Sequence, residues 1–188
     1  MLEEHLPAEA LEYAFGLWLE EPFSFHIKNS RSTCLGNYSF RENQHTITIN
    51  NDLNKYQFLI TFIHEIAHQR VFIRHKPSKR KPVMPHGTER KTIFQQLMLP
   101  LLSDVIFPKE ILFFLSKHLQ NPPASTVRDA HLMAALRQYD THKNPEANGH
   151  LLEHIRIGQA FRFRERVFTK IEERRTRVLC EEKVSRKR

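Results

Sequence analysis

A chain of 188 residues has room for one ordinary domain and an appendage, and for little more. With 40% hydrophobic and 27% charged residues, and 14 Phe against 5 Gly, the composition excludes a disordered or fibrous protein. No apolar run approaches the roughly 18 residues that span a bilayer, and the opening MLEEHLPAEA is acidic where a secretory leader is basic and then apolar. A cytoplasmic protein with no membrane partner is therefore expected. Two cysteines, Cys34 and Cys180, supply neither a disulfide framework nor a CxxC metal clip and read as reduced thiols. The net charge of +8 is unevenly spread. Residues 155–188 hold twelve Lys or Arg against five Glu, a balance of +7, which points to a polyanionic partner for this end of the chain.

In chain order, residues 7–20 place Leu11, Ala14, Phe15 and Trp18 at three-and-four spacing, an amphipathic helix with Pro7 at its start. Period-two alternation follows around Phe23, Phe25 and Ile27, around Tyr38 and Phe40, and around Ile47 and Ile49. The turn signals between them are short, so the three strands read as a small antiparallel meander. Residues 53–74 follow Asn50, Asn51 and Asp52, good capping types, and contain no Gly or Pro. This segment reads as a long helix, apolar on nearly every face and hence central. The stretch 75–85, with three prolines and four Lys or Arg, reads as a loop. Helices are expected over 88–102, 108–119 and 127–139, separated by Pro100, Pro108 and Pro122-Pro123. Residues 141–149 read as a linker, and AFRFRERVFTKI and RRTRVLCEE alternate as a β ribbon.

The chemistry lies in His64-Glu65-Ile66-Ala67-His68, an H-E-x-x-H pattern inside the long helix. Residues i and i+4 share one helix face, so both imidazoles can reach one zinc ion, while Glu65, about 100° round the helix, can act as a base without ligating. Random placement of this chain's His and Glu would give about 0.07 such pentapeptides, and an apolar helix is a costly place for three polar groups with nothing to bind. The metzincin extension is excluded, because Val71 and Arg74 stand where it needs Gly and His. Two residues remain as a third ligand. Glu89 would make the site gluzincin-like, whereas His86, followed by Gly87 after the proline-rich loop, can be returned to the metal by a chain reversal and is preferred.

HEIAH, a basic loop, then PHG with Glu89 and Phe94 resembles the SprT-like metalloprotease family, which includes the Spartan proteases that repair crosslinks between DNA and protein. Arg31, Gly36, Tyr38, Ile47, Ile49 and Asn50, then NPPAST, Asp129 and Tyr139-Asp140, extend the resemblance over about residues 7–182. The resemblance implies an α+β, minimal zincin-like fold with a small antiparallel or mixed three-stranded sheet. It also implies one zinc per chain held by His64, His68 and His86, with Glu65 as catalytic base. Position 90 is Arg where relatives often have an aromatic residue. Many relatives end in a four-cysteine zinc ribbon, but here only Cys180 lies in that region, so a metal-free ribbon held by Phe161, Phe163, Phe168, Val178 and Leu179 is expected.

The expected organisation is a catalytic domain over 1–140, a linker over 141–149 and a basic β-ribbon tail over 150–188. The expected function is that of a monomeric zinc metalloendopeptidase acting on a protein substrate, with single- or double-stranded DNA bound through Arg162, Arg164, Arg166, Lys170, Arg174, Arg175 and Arg177. The alternative is a DNA-binding module whose zinc site is structural or idle. Glu65 separates the two, since a structural site has no need of a base.

Overall fold

A computed structural model describes residues 2–75, 87–122, 129–140, 152–174 and 177–184. The chain divides into two compact units, Met1–Thr141 and His142–Arg188. The expected loop over 75–85 and linker over 141–149 fall almost entirely outside the described residues.

In the first unit, helix α1 (Leu11–Glu20) is followed by strands β1 (Ser24–Lys28), β2 (Gly36–Arg41) and β3 (Gln44–Asn50) and the long helix α2 (Lys55–His75). Helices α3 (Thr88–Met98), α4 (Lys109–Gln120) and α5 (Ala130–Arg137) complete it. As its pattern requires, α2 is buried on most faces, with Phe58, Phe62, Ile63 and Ile66 fully enclosed. Ile47 and Ile49 of β3, Phe94 and Met98 of α3, and Leu132 and Leu136 of α5 join the same core. The cap of α2 is Asn54 rather than residues 50–52. Its Oδ1 accepts from the backbone N–H of Gln57 at 3.0 Å, and its amide donates to Leu136 O and Asp140, which ties the start of α2 to the end of α5. Helix α2 also holds the end of α1, through Arg70 to Leu17 O at 2.8 Å and Gln69 to Glu21 O at 3.0 Å.

The sheet is not a meander. Its order is β1-β3-β2, with β3 antiparallel to β2 but parallel to β1, from Ser24 opposite Thr46 to Lys28 opposite Asn50. The reason lies in residues 29–35, which pass over the end of β3 instead of turning tightly. The Asn50 amide donates to Arg31 O and Cys34 O, and the Arg31 guanidinium donates back to Asn50 Oδ1 and Thr48 Oγ1. The parallel pairing needs no helical crossover, because β2 itself carries the chain back. The β2–β3 hairpin turns at Glu42-Asn43, both with positive φ.

The second unit is a three-stranded antiparallel sheet, β4 (Ala160–Phe163), β5 (Arg166–Arg174) and β6 (Arg177–Glu182), in the order β4-β5-β6. Phe161 and Phe168 stack across β4 and β5, with centroids 5.9 Å apart. Phe163, expected in this small core, is instead 55% exposed at the hairpin end, with the Arg164 guanidinium over its ring. Cys34 and Cys180 are both free thiols. Among the described residues no helix is long and apolar enough to cross a membrane.

Candidate metal and catalytic centre

Helix α2 presents His64, Glu65 and His68 from two successive turns. The two imidazoles have centroids 5.0 Å apart, and the His64 ring also meets Phe94 of α3 edge-on at 5.4 Å. His64 and Glu65 are buried, whereas His68 is partly exposed, so the pair opens toward solvent on the His68 side.

Glu65 turns from the pair toward β2. The backbone N–H of Tyr38 donates to its carboxyl, and Gly36, two residues earlier on the same face of β2, lies directly against its side chain. Burial pushes the Glu65 carboxyl up to about 7, and the Tyr38 N–H, Arg90 and Arg31 oppose that shift by favouring the anion. A buried carboxyl held by a backbone N–H, on the helix that carries both imidazoles, is suited to accept a proton and then return it.

Arg90, in the first turn of α3, is fully buried, and its Nη1 stands 3.2 Å from His64 Nδ1 and 3.5 Å from Nε2. Arg90 thus brings a charge to a site histidine. Nearby, the Nδ1–H of His118 of α4 donates to Asp129 Oδ2 at 2.9 Å, and the other Asp129 oxygen accepts from Leu132 N to cap α5.

The donor set suits zinc: two imidazoles one helical turn apart, a carboxylate alongside, and an apolar wall. The preferred third ligand, His86, lies outside the described residues. Glu89 is exposed in the first turn of α3, and among the described residues no three His, Cys, Asp or Glu form a group that could hold a metal, so Glu89 is not brought to the histidine pair.

In the second unit, Arg162, Arg164, Arg166, Arg174 and Arg177 are exposed, while Arg175 lies outside the described residues. Lys170 is a correction. It is fully buried, with Nζ donating to Leu152 O at 2.8 Å and Ile155 O at 2.6 Å and paired with Glu173, so it has no surface to offer a phosphate. The physical cause is the turn at 152–155, whose carbonyls close over Lys170 on β5.

Two contributors to the site, Gly36 and Arg90, were not assigned roles from the residues alone. Gly36 carried a usable signal, since a lone glycine in a strand pattern marks a close backbone approach.

No curated protein and no solved structure matches the chain. Residues 6–104 match the SprT-like family, a stretch that contains α1, the mixed sheet, α2 with its HEIAH, and α3. The second half of the resemblance, from NPPAST onward, lies beyond that stretch. Because the match covers more than half of the 188 residues, the chain belongs to the SprT-like family.

Proposed function

We propose that the chain is a zinc-dependent metalloendopeptidase in which His64, His68 and His86 hold one zinc ion and Glu65 is the general base. The observation that carries this reading is the Glu65 carboxyl, buried on the helix that carries the histidine pair, held by the Tyr38 N–H and with its pKa pushed up by burial to about 7. When bound, zinc supplies Lewis acidity, polarising a peptide carbonyl and making water a better nucleophile near neutral pH. Glu65 accepts the proton of the attacking water at its carboxylate and passes it to the departing amine nitrogen. Helix α2 and strand β2 fix the direction of that carboxylate before substrate arrives, which lowers the cost of reaching the reactive geometry. A purely structural zinc site would gain nothing from a buried base, so the DNA-binding module with an idle metal is the weaker reading.

The second unit extends the proposal to nucleic-acid-associated protein substrates. Its exposed Arg162 and Arg164 flank Phe163, and a cation beside an exposed ring suits phosphate neutralisation and stacking on an unpaired base. Arg166 and Arg174 are partly engaged with Glu182 and Glu172, at 3.5 and 3.3 Å.

The test is metal analysis and peptide cleavage by the full chain, with and without single-stranded DNA, alongside His64→Ala and His68→Ala. One zinc per chain, lost with cleavage in both variants, supports the reading. Cleavage that survives both variants and exhaustive chelation overturns it.

A further inference from the structure

Phe72 follows Glu65 on α2 by very nearly two helical turns, so the two side chains leave the helix along one line, about 10 Å apart, with His68 between them. Strand β2 runs beside that line. Its Gly36 lies against Thr61 and Glu65, and its Tyr38 N–H donates to the Glu65 carboxyl. Farther along, the rings of Tyr38 and Phe40 reach Phe72, with centroids 6.2 and 4.5 Å from it. The strand that holds the proposed base therefore carries an aromatic group at its other end.

His45 of β3 completes this group. Its ring lies 4.7 Å from Phe40, 5.7 Å from Phe72 and 5.9 Å from Tyr38. All four rings are partly exposed, and while Tyr38 packs against the buried core, Phe40 and Phe72 lie outside it. Contiguous apolar surface of this kind marks a place where something else is bound. Polar tips do not interrupt it. The Tyr38 hydroxyl and His45 Nδ1 are spent on each other at 2.9 Å, and burial lowers the His45 pKa below its usual value, which leaves that ring neutral at neutral pH.

We propose that Tyr38, Phe40, His45 and Phe72 form a subsite that receives a large apolar side chain of the peptide substrate, an aromatic one best. This inference rests on the reading of the chain as a peptidase and names the kind of sequence it selects. Continuity with the site identifies the occupant, because Tyr38 belongs to both, its N–H holding Glu65 and its ring facing Phe72. An extended peptide advances about 3.3 Å per residue, so the two helical turns from Glu65 to Phe72 place the selected residue about three positions from the cleaved bond. An aromatic side chain gains most there, since offset and edge-to-face contacts between rings add to the burial of apolar area.

The experiment gives the zinc-loaded full chain a set of short peptides of Ala, Ser and Gly, each with a single Phe, Leu or Asp moved stepwise along it, and maps the cuts by mass spectrometry. At one position, about three residues from the cut, Phe should exceed Ala by about tenfold in kcat/KM, with Leu between them and Asp below. In Phe40→Ala and Phe72→Ala the ratio of Phe to Ala should fall toward one, and Phe40→Leu and Phe72→Leu should keep part of it. Circular dichroism melts and bound zinc check the fold of each variant, and if an Ala variant does not fold, its Leu counterpart decides. A ratio that stays at the wild-type value in the folded variants overturns the subsite and leaves the peptidase reading intact. So does an equal slowing of the Phe and Ala peptides, which would make the rings only a clamp between β2 and α2. If the zinc-loaded wild type cuts none of the peptides, the peptidase reading fails and this inference fails with it.

Discussion

Gly36 and Glu65 are packed so closely that a Cβ at position 36 would lie 2.9 Å from Glu65 Cγ and 3.0 Å from its Oε1. The same carbon would stand 2.7 Å from Thr61 Cγ2, one turn earlier on α2. The missing side chain is therefore the space in which the proposed base sits. In Gly36→Ala either β2 moves outward, taking the Tyr38 N–H with it, or the carboxyl turns away. A shift of this order should lower kcat/KM about a hundredfold, with a stability cost of about 1–3 kcal/mol from overpacking. Zinc stoichiometry should stay unchanged. Adding Thr61→Ser removes Cγ2 and should recover much of the stability without recovering activity. Urea titrations and steady-state kinetics on the single and double variants separate these outcomes, and full activity in Gly36→Ala would show that the close packing has no bearing on the base.

The His118–Asp129 pair predicts a pH dependence of stability. Burial lowers the His118 pKa below its usual value, with Asp129 opposing the shift through its hydrogen bond and charge, and Arg90 adding slightly to the lowering. The unfolded chain therefore binds this proton more readily than the folded one. Stability from this group is fully present above about pH 6.5, the ordinary value, and declines as pH falls through that value toward the lower folded one. His118→Gln keeps a polar partner for Asp129 but cannot titrate. The difference between wild-type and His118→Gln urea midpoints should change between pH 7.5 and pH 5.5, with wild type losing more stability on acidification. Parallel midpoint curves would remove His118 from the account.

Within the second unit, Lys170 is a structural cross-link rather than a surface cation. Lys170→Met should leave Leu152 O and Ile155 O without their donor and destabilise the unit by about 1–3 kcal/mol. Hydrogen exchange should accelerate over 152–184 and leave α2 unchanged. Equal protection of the sheet in both proteins would contradict the role.

Binding to single-stranded DNA should follow the exposed arginines. Replacing Arg162 and Arg164 by Gln should reduce the slope of log affinity against log salt by about 1.4, and replacing Phe163 by Ala should lower affinity with little change in slope. Salt titrations by fluorescence anisotropy measure both. Unchanged slopes in the Arg162→Gln/Arg164→Gln double variant would remove the β4–β5 hairpin end as a nucleic-acid surface.

Much of this organisation is local and therefore readable. Residues 53–74 specify a buried helix by apolar residues on every face and by the lack of Gly and Pro, and the histidine pair follows from i, i+4 spacing on that helix. What was not readable depends on contacts between distant residues. The strand order turns on the Asn50 amide fastening residues 31 and 34 across the end of β3, and no period-two pattern encodes that. The hairpin at Arg164-Glu165 has positive φ at both residues but none of the Asn or Gly that usually marks such a turn. Alternation places Lys170 on a face of β5 but cannot tell that the turn at 152–155 closes over it. The burial of Arg90 is equally hidden in the sequence, because the ring it meets lies twenty-six residues back in the chain.

Peptide cleavage by metal-replete Glu65→Gln decides whether Glu65 is the base of a zinc peptidase. The amide keeps the shape and the burial of the carboxyl but cannot take a proton from water. This variant should hold one zinc per chain, melt close to wild type, and cleave peptide about a hundredfold to ten-thousandfold more slowly. Undiminished cleavage by a metal-replete, folded Glu65→Gln protein would contradict that role.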